Sequence, residues 1–572
     1  MRKILLFLVI ACQICGVAAQ QKPKWLDKQQ KAVVKISIFD HNDKEMSTVT
    51  GFFISNDGTL LTSYAPFKGA AKAVVKDVNN KEYPVKYVVA ANELYDVLKL
   101  KVADANKITA LTMAQAAPAV GTDLYLMPYP VLKVQLFTAG KVSEVSKLTG
   151  PYNYYKTSIP LKEGQVNAPV MNADGELVGI SQDDAAGNKE VSYILPASYA
   201  ESLKMNAADV IGSTYTSLGI QKAWPESEEQ AQISLYLLSS TQNAQTYLNT
   251  LNDFIETFPN SPDGYLKRAS HYAYQRAALA SSESEQQSYL SKALDDIQTA
   301  GKYGKDKGEA LYNKANLIFG VASADTTIKD PEWTIANAEK IAKEAIDASD
   351  LPAYRQLEGD IFYTEGKFAE AFADYQKVNA SDVASATSYY MAAKANAAMP
   401  GSNFSDQLAL LDSAVVKSGN GAESAPYILE RIQIRLKLMQ YAEAVKDYDL
   451  YYKVLNGDVS DGFYYYREQA KFLGNDLDGA LADIQSAINQ NPNNPTYLAE
   501  EAAVYVRKEK YEDALKSIDS ALKQAPDFAA CYRLRGVCYV RLHKKDPACE
   551  ALKKAQELGD KVAEKLIKEN CN

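Results

Sequence analysis

The chain has 572 residues, 47% apolar and 23% charged, a globular balance that excludes wholesale disorder. The length exceeds what one compact core serves, so roughly two to four domains are expected. A formal net charge of −9 argues against a general nucleic-acid binder, and three histidines leave no His-rich metal site.

At the start, Arg2 and Lys3 precede an apolar run from Ile4 to Ile10 that continues weakly through Val17. Val17-Ala18-Ala19 then offers small residues for cleavage before Gln20, so residues 1–19 read as a secretory signal and the mature protein as exported, to a periplasm or beyond the cell. Two other readings exist: a membrane anchor, for which the run is short and broken by Gln13, and a lipoprotein signal, Val9-Ile10-Ala11 before Cys12. No later segment is apolar enough to span a bilayer.

Residues 28–203 read as strands. They include the β-rich run 32–39, Gly51-Phe52-Phe53-Ile54, the turn Asn56-Asp57-Gly58, and Thr59-Leu60-Leu61-Thr62. Further strands are expected over 85–89, 97–102, 123–127, 135–142 and 176–180. Short strands with frequent Gly, Pro and Asn-Asp turns predict an all-β sandwich or a pair of barrels. The segment 204–230 reads as a linker between halves.

From about residue 225 the pattern becomes helical, rich in Ala, Leu and Tyr. Residues 231–350 read as divergent helical repeats. Beyond 351 a period emerges. Ala480, Ala514 and Ala548 stand 34 apart, as do Ala487, Ala521 and Ala555, and also Ile484, Ile518 and Leu552. Ala502 pairs with Gly536, Tyr505 with Tyr539, and Pro492 with Pro526 at the same spacing. Small residues permit close helix crossing, aromatics fill the groove, and proline stops the second helix. Gly359, Phe362, Gly366, Ala371 and Tyr375 form a similar unit, and so does Tyr441-Ala442-Glu443-Ala444 with Tyr448.

Four cysteines follow the leader: Cys531, Cys538, Cys549 and Cys571. Cys531 and Cys538 lie seven apart on one expected helix, about 10 Å, too far to bond each other. Cys549 with Cys571 is the candidate disulfide, tying the last hairpin to a terminal helix; four buried thiols are the alternative. The spacing lacks the paired CxxC of a zinc site, and no cofactor is expected.

The periodic helical unit resembles the tetratricopeptide repeat. That resemblance implies a superhelix ending in a capping helix, with a concave face that binds a protein or peptide. In the last unit Arg533, Arg535 and Arg541 are the candidate ligand-facing basic cluster, suited to an acidic or carboxylate-bearing ligand; a solvated capping face is the competing reading.

The β-rich half, residues 20–203, resembles the trypsin-like fold, specifically the bacterial Htr-type proteases. The resemblance rests on 51–62, on Tyr95-Asp96-Val97-Leu98, on the ungapped run Gly164 to Ile180, and on Tyr193-Ile194-Leu195-Pro196. The family's Gly-Asn-Ser-Gly-Gly-Pro is matched by Gly164, Gln165, Val166, Asn167, Ala168 and Pro169, so Val166 takes the serine's place. Ala65 takes the histidine's place, and only Asp96 is of the expected type. Valine has no lone pair to attack with and alanine cannot accept a proton, so the resemblance implies an inactive homologue. His41 lies in a polar turn, Ser158 lies on an expected strand, and no Gly-x-Ser-x-Gly elbow occurs in this half. The family's anion hole uses the backbone N–H groups at the places of Val166 and Gly164, which do not depend on side-chain identity. Ala168, standing for a glycine, is the residue expected to reshape that loop. The expectation is an exported, non-catalytic scaffold that binds protein or peptide; the alternative is an active serine endopeptidase with displaced catalytic residues.

Overall fold

A computed structural model describes residues 22–105, 107–129, 137–162, 164–419 and 421–571. The expected leader and the first part of the strand expected over 135–142 lie outside the described residues. The chain divides into two compact units, 1–303 and 304–572.

The first unit begins with two closed six-stranded barrels. One is built from β1 (Val33–Phe39), β2 (Glu45–Phe53), β3 (Thr59–Thr62), β4 (Lys72–Lys76), β5 (Glu82–Asn92) and β6 (Val97–Val102), in the order β1-β2-β3-β6-β5-β4. The other is built from β7 (Asp123–Leu126), β8 (Thr138–Lys147), β9 (Asn153–Thr157), β10 (Pro169–Met171), β11 (Leu177–Gln182) and β12 (Ser192–Pro196), in the order β10-β11-β12-β9-β8-β7. All pairings are antiparallel, and closure removes the exposed edges that open sheets must guard.

Alternation along β1 sends Val34, Ile36 and Ile38 into the first barrel's core, while Val33 joins a second apolar layer. That layer joins the barrels: Phe52, Leu61 and Val97 of the first meet Met127, Met171 and Leu195 of the second. Gly51 faces Val34 across the ladder, and a Cβ there would lie 2.6 Å from Ile36 Cδ1, so only glycine keeps the strands at this separation.

Residues 204–230 are not a free linker. Met205, Tyr215, Leu218 and Ile220 are buried in the first barrel's core. The backbone follows: Gly219 N–H donates to Ala70 O at 2.8 Å, Val88 N–H to Gln221 O at 2.8 Å, and Ala223 N–H to Val88 O at 2.8 Å. Composition suggested a hinge because the apolar residues are sparse. Those four nonetheless fill places the barrel leaves open. Helices Glu228–Ser239, Ala244–Thr257, Pro262–Leu279 and Glu283–Tyr303 belong to the same unit, so the unit boundary falls at 303–304.

The second unit is helical among its described residues and built of successive antiparallel hairpins. Helices Asp461–Leu473, Pro495–Arg507 and Ala529–Arg541 start one sequence period apart, and so do Leu477–Gln490, Tyr511–Gln524 and Lys545–Glu557. The periodic small residues are where helices cross: Ala480, Ala487, Ala502, Ala514 and Ala521 are fully buried, and a Cβ on Gly536 would meet Leu552 Cγ at 2.5 Å. Between hairpins runs a polar spine. Arg431 reaches Asp412 at 2.8 Å and Asp447 through its Nε at 2.9 Å; Arg467 reaches Asp449 at 2.9 Å and Asp483 at 2.8 Å. Each arginine thus ties a preceding helix to the second helix of its own hairpin, and the inner aspartates are buried.

Removing a buried partner strands a charge, whereas removing an exposed one leaves it to water. Asp483→Ala should therefore cost the second unit about 3 kcal/mol or more, and Asp449→Ala under about 1 kcal/mol, in denaturant titration of the intact chain.

Glu468, on helix Asp461–Leu473, is fully buried, and its Oε1 has no hydrogen-bond partner among the described residues. Burial first, then the charge of Glu500, pushes its carboxyl from 4.5 up to about 8. The folded chain keeps a proton that the unfolded chain releases. This stabilisation is fully present below about pH 4.5, falls as pH rises to about 8, and is level above. Glu468→Gln, which stays neutral, should flatten that slope; melting curves of both proteins at pH 5 and pH 8, about the two ends of the window, read the difference.

Candidate functional site

The site forms where loops leave the two barrels. β3 pairs with β6, Thr62 opposite Leu98, so the turn after β3 and the residue before β6 meet at one barrel end. Asp96 sits there at φ +46°, a left-handed conformation that aspartate tolerates better than most residues. Its Oδ1 accepts from Ala65 N–H at 2.7 Å and from Tyr64 N–H at 3.0 Å. The Tyr64 hydroxyl donates to Thr214 O at 2.9 Å, so the segment expected as a linker steadies the turn.

The loop before β10 carries Val166. It is held from beneath by Ser181 of β11, a residue the sequence motif did not single out. Ser181 Oγ donates to Gln165 O at 2.8 Å and accepts from Ala168 N–H at 3.1 Å, and Ser181 O accepts from Asn167 N–H at 2.9 Å. The left-handed residues of the loop are Gly164 at φ +77° and Asn167 at φ +66°. Ala168 is not among them; it is buried in the second barrel's core beside Val170 and Ile194. The expected glycine-to-alanine distortion therefore falls away, because asparagine takes the conformation an alanine resists. Thr50 Oγ1 donates to Gly164 O at 3.4 Å, and Gln165 N–H donates to Lys162 O at 3.1 Å.

Asp96 and Val166 line one cavity of about 670 Å³, with Leu94, Leu148, Tyr154 and Gln182. Tyr154 donates to Gln182 Oε1 at 2.6 Å, and Gln182 Nε2 donates to Tyr95 O at 2.7 Å. Burial, then the neighbouring Tyr193, pushes the Tyr154 phenol up to about 12, so it is a hydrogen-bonding wall rather than a base near neutrality. Among the described residues this lining has no serine, threonine, cysteine or histidine. Ala65 is exposed at the site and offers a methyl group only. His41 is exposed in the β1–β2 turn, and Ser158 Oγ accepts from Lys141 N–H at 3.0 Å. Tyr154 and Gln182 were missed because the sequence predicts no strand over 153–157 and ends the strand of Gln182 at Ile180.

In the second unit the expected basic cluster is split. Arg533 pairs with Asp560 at 2.7 Å and lines, with Arg541 and Arg507, a groove of about 670 Å³ between helices Pro495–Arg507 and Ala529–Arg541. Arg535 is not there; it pairs with Asp519. Arg507 was legible in principle, since it precedes Arg541 by one full period. Cys549 and Cys571 are bonded, with Cα atoms 5.6 Å apart, fastening helix Lys561–Asn570 to helix Lys545–Glu557. Cys531 and Cys538 are buried, and burial pushes both thiols up to about 11. Residues 20–572, folded, should resist iodoacetamide; unfolding should expose these two thiols, and reduction two more, counted by intact mass.

Residues 49–180 match the family model described as trypsin-like peptidase domain. A probable periplasmic serine endoprotease DegP-like from Halomonas elongata is 28% identical over 177 residues, covering 30% of this chain and 36% of that protein. Another, from Hahella chejuensis, is 26% identical over 185 residues, covering 31% and 38%. The match thus spans little more than a third of either relative. Among solved structures, the Rv3671c protease from M. tuberculosis in its active form is 21% identical, with TM-score 0.27, covering 36% of this chain and 87% of that one. The serine endoprotease from Yersinia pestis is also 21% identical, with TM-score 0.26, covering 33% and 65%. Residues 49–180 match a trypsin-like peptidase domain and lie within the two six-stranded barrels, which run from Val33 to Pro196; the helical remainder lies outside that match.

Proposed function

We propose that this protein is an exported, non-cutting scaffold: a degenerate trypsin-like domain that holds peptide, joined to tetratricopeptide repeats that bind protein or peptide partners. One observation carries the reading. Among the described residues, the cavity that unites Asp96 with Val166 offers no hydroxyl or thiol nucleophile of the acyl-transfer kind and no imidazole to activate one. Ala65, whose amide is bonded to Asp96, stands where an imidazole would be oriented, and the chemistry of acyl transfer has no starting step. The N–H groups at Gly164 and Val166 would serve as the anion donors, a role that does not depend on side chain.

The repeat reading is supported by the regular recurrence of helix starts, and export by the leader-like segment 1–19 together with relatives named as periplasmic. In the second unit the groove holding Arg507, Arg533 and Arg541 suits an acidic segment.

A fluorophosphonate probe tests the reading. The wild-type chain should remain unlabelled, and the pair Ala65→His with Val166→Ser should gain label at residue 166. Labelling of the wild type at any serine would favour the displaced-residue endopeptidase instead.

A further inference from the structure

Loss of an imidazole at residue 65 changes what Asp96 can do. Its Oδ1 is committed to the Ala65 and Tyr64 amides, which fixes the carboxylate's orientation without any side chain at residue 65. Its Oδ2 has no hydrogen-bond or ion-pair partner among the described residues and is not sealed from solvent, because no buried unpartnered atom occurs on Asp96. Asp96 also lines the 670 Å³ cavity. A carboxylate oxygen held in place and facing an open cavity is a receptor for a cation.

The walls narrow the choice of cation. Leu94, on the cavity lining, is 82% exposed and so leaves its side chain open to cover. Leu148 lies on the same lining. A lysine has a four-carbon apolar stem and a compact ammonium, so its stem can cover leucine while its head reaches the carboxylate. Other charges near the site are accounted for. Asp183 is paired with Lys189 at 3.0 Å, and Lys68, which also feels the charge of Asp96, is paired with Glu93. Lys147 lines the cavity too, and its ammonium opposes an incoming cation.

Resting on the reading of the cleft as a peptide holder, we propose that it selects a peptide with a lysine side chain, whose ammonium lies against Asp96 Oδ2 in the space an imidazole would fill and whose stem covers Leu94 and Leu148. The selectivity would come from the deletion itself: the same carboxylate that orients a base in a working protease becomes the recognition group.

The test uses the full mature chain and two pools of capped hexapeptides, random except for one central position fixed as lysine or as norleucine. Binding is read by fluorescence anisotropy. The wild type should bind the lysine pool about tenfold more tightly, a preference equivalent to roughly 1.4 kcal/mol. Asp96→Asn keeps an oxygen for the two amides, so it should fold as the wild type does yet lose the preference. Ala65→His, which refills the space, should lose it too, and Lys147→Ala should strengthen it. A lysine preference that survives Asp96→Asn would overturn the inference. Equal binding of both pools would overturn it while leaving the peptide-holding cleft intact. Failure of both pools to bind would overturn the inference and the peptide-holding reading together.

Discussion

The cleft depends on one interaction: the paired hydrogen bonds from the Ala65 and Tyr64 amides to Asp96 Oδ1. Both donors are backbone groups, so the turn after β3 stays fastened to the start of β6 whatever side chain occupies residue 65. The loop of Val166 has an equivalent anchor in Ser181, which bonds three backbone groups of that loop through its hydroxyl and carbonyl. Site geometry is therefore written in main chain and in buried polar residues behind it. The reacting side chains of such a site can change while its shape remains.

A comparable economy runs through the second unit. Periodic alanines and glycines set how closely helices cross, and the arginine–aspartate spine sets which helices meet. Apolar contact alone is indifferent to small slips of register. A bidentate arginine with a buried aspartate is not, because a slip would strand both charges. The spine is uneven. Glu501 and Ser517 stand one period after Arg467 and Asp483, and they bond each other at 2.8 Å. One place in the period thus accepts different polar pairs provided each is satisfied.

Strand patterning and turn chemistry, being local, made an all-β sandwich or barrel pair legible, the trypsin-like resemblance chose the barrels, and the repeating spacing gave the helical hairpins. Val166, Ala65 and Asp96 were legible because a motif of consecutive residues surrounds each. What escaped was non-local. Residues 204–230 look like a hinge in sequence, yet Tyr215 and Ile220 complete the first barrel's core, a role visible only once that core exists. Ser181, Tyr154 and Gln182 come to the site through strand pairing, and nothing in their immediate sequence marks them. The basic cluster was read as one face, but helical phase separates Arg535 from Arg533 and Arg541. The distortion expected at Ala168 does not arise, because the left-handed place in the loop belongs to Asn167, which accepts that backbone.

The central claim is that this cleft holds peptide and does not cut it. Incubation of the purified mature chain with a large, sequence-diverse peptide mixture, read by mass spectrometry for new termini, tests it most directly. The account predicts no new termini beyond those in a protein-free control. Cleavage by the wild type that disappears in Asp96→Asn would contradict it.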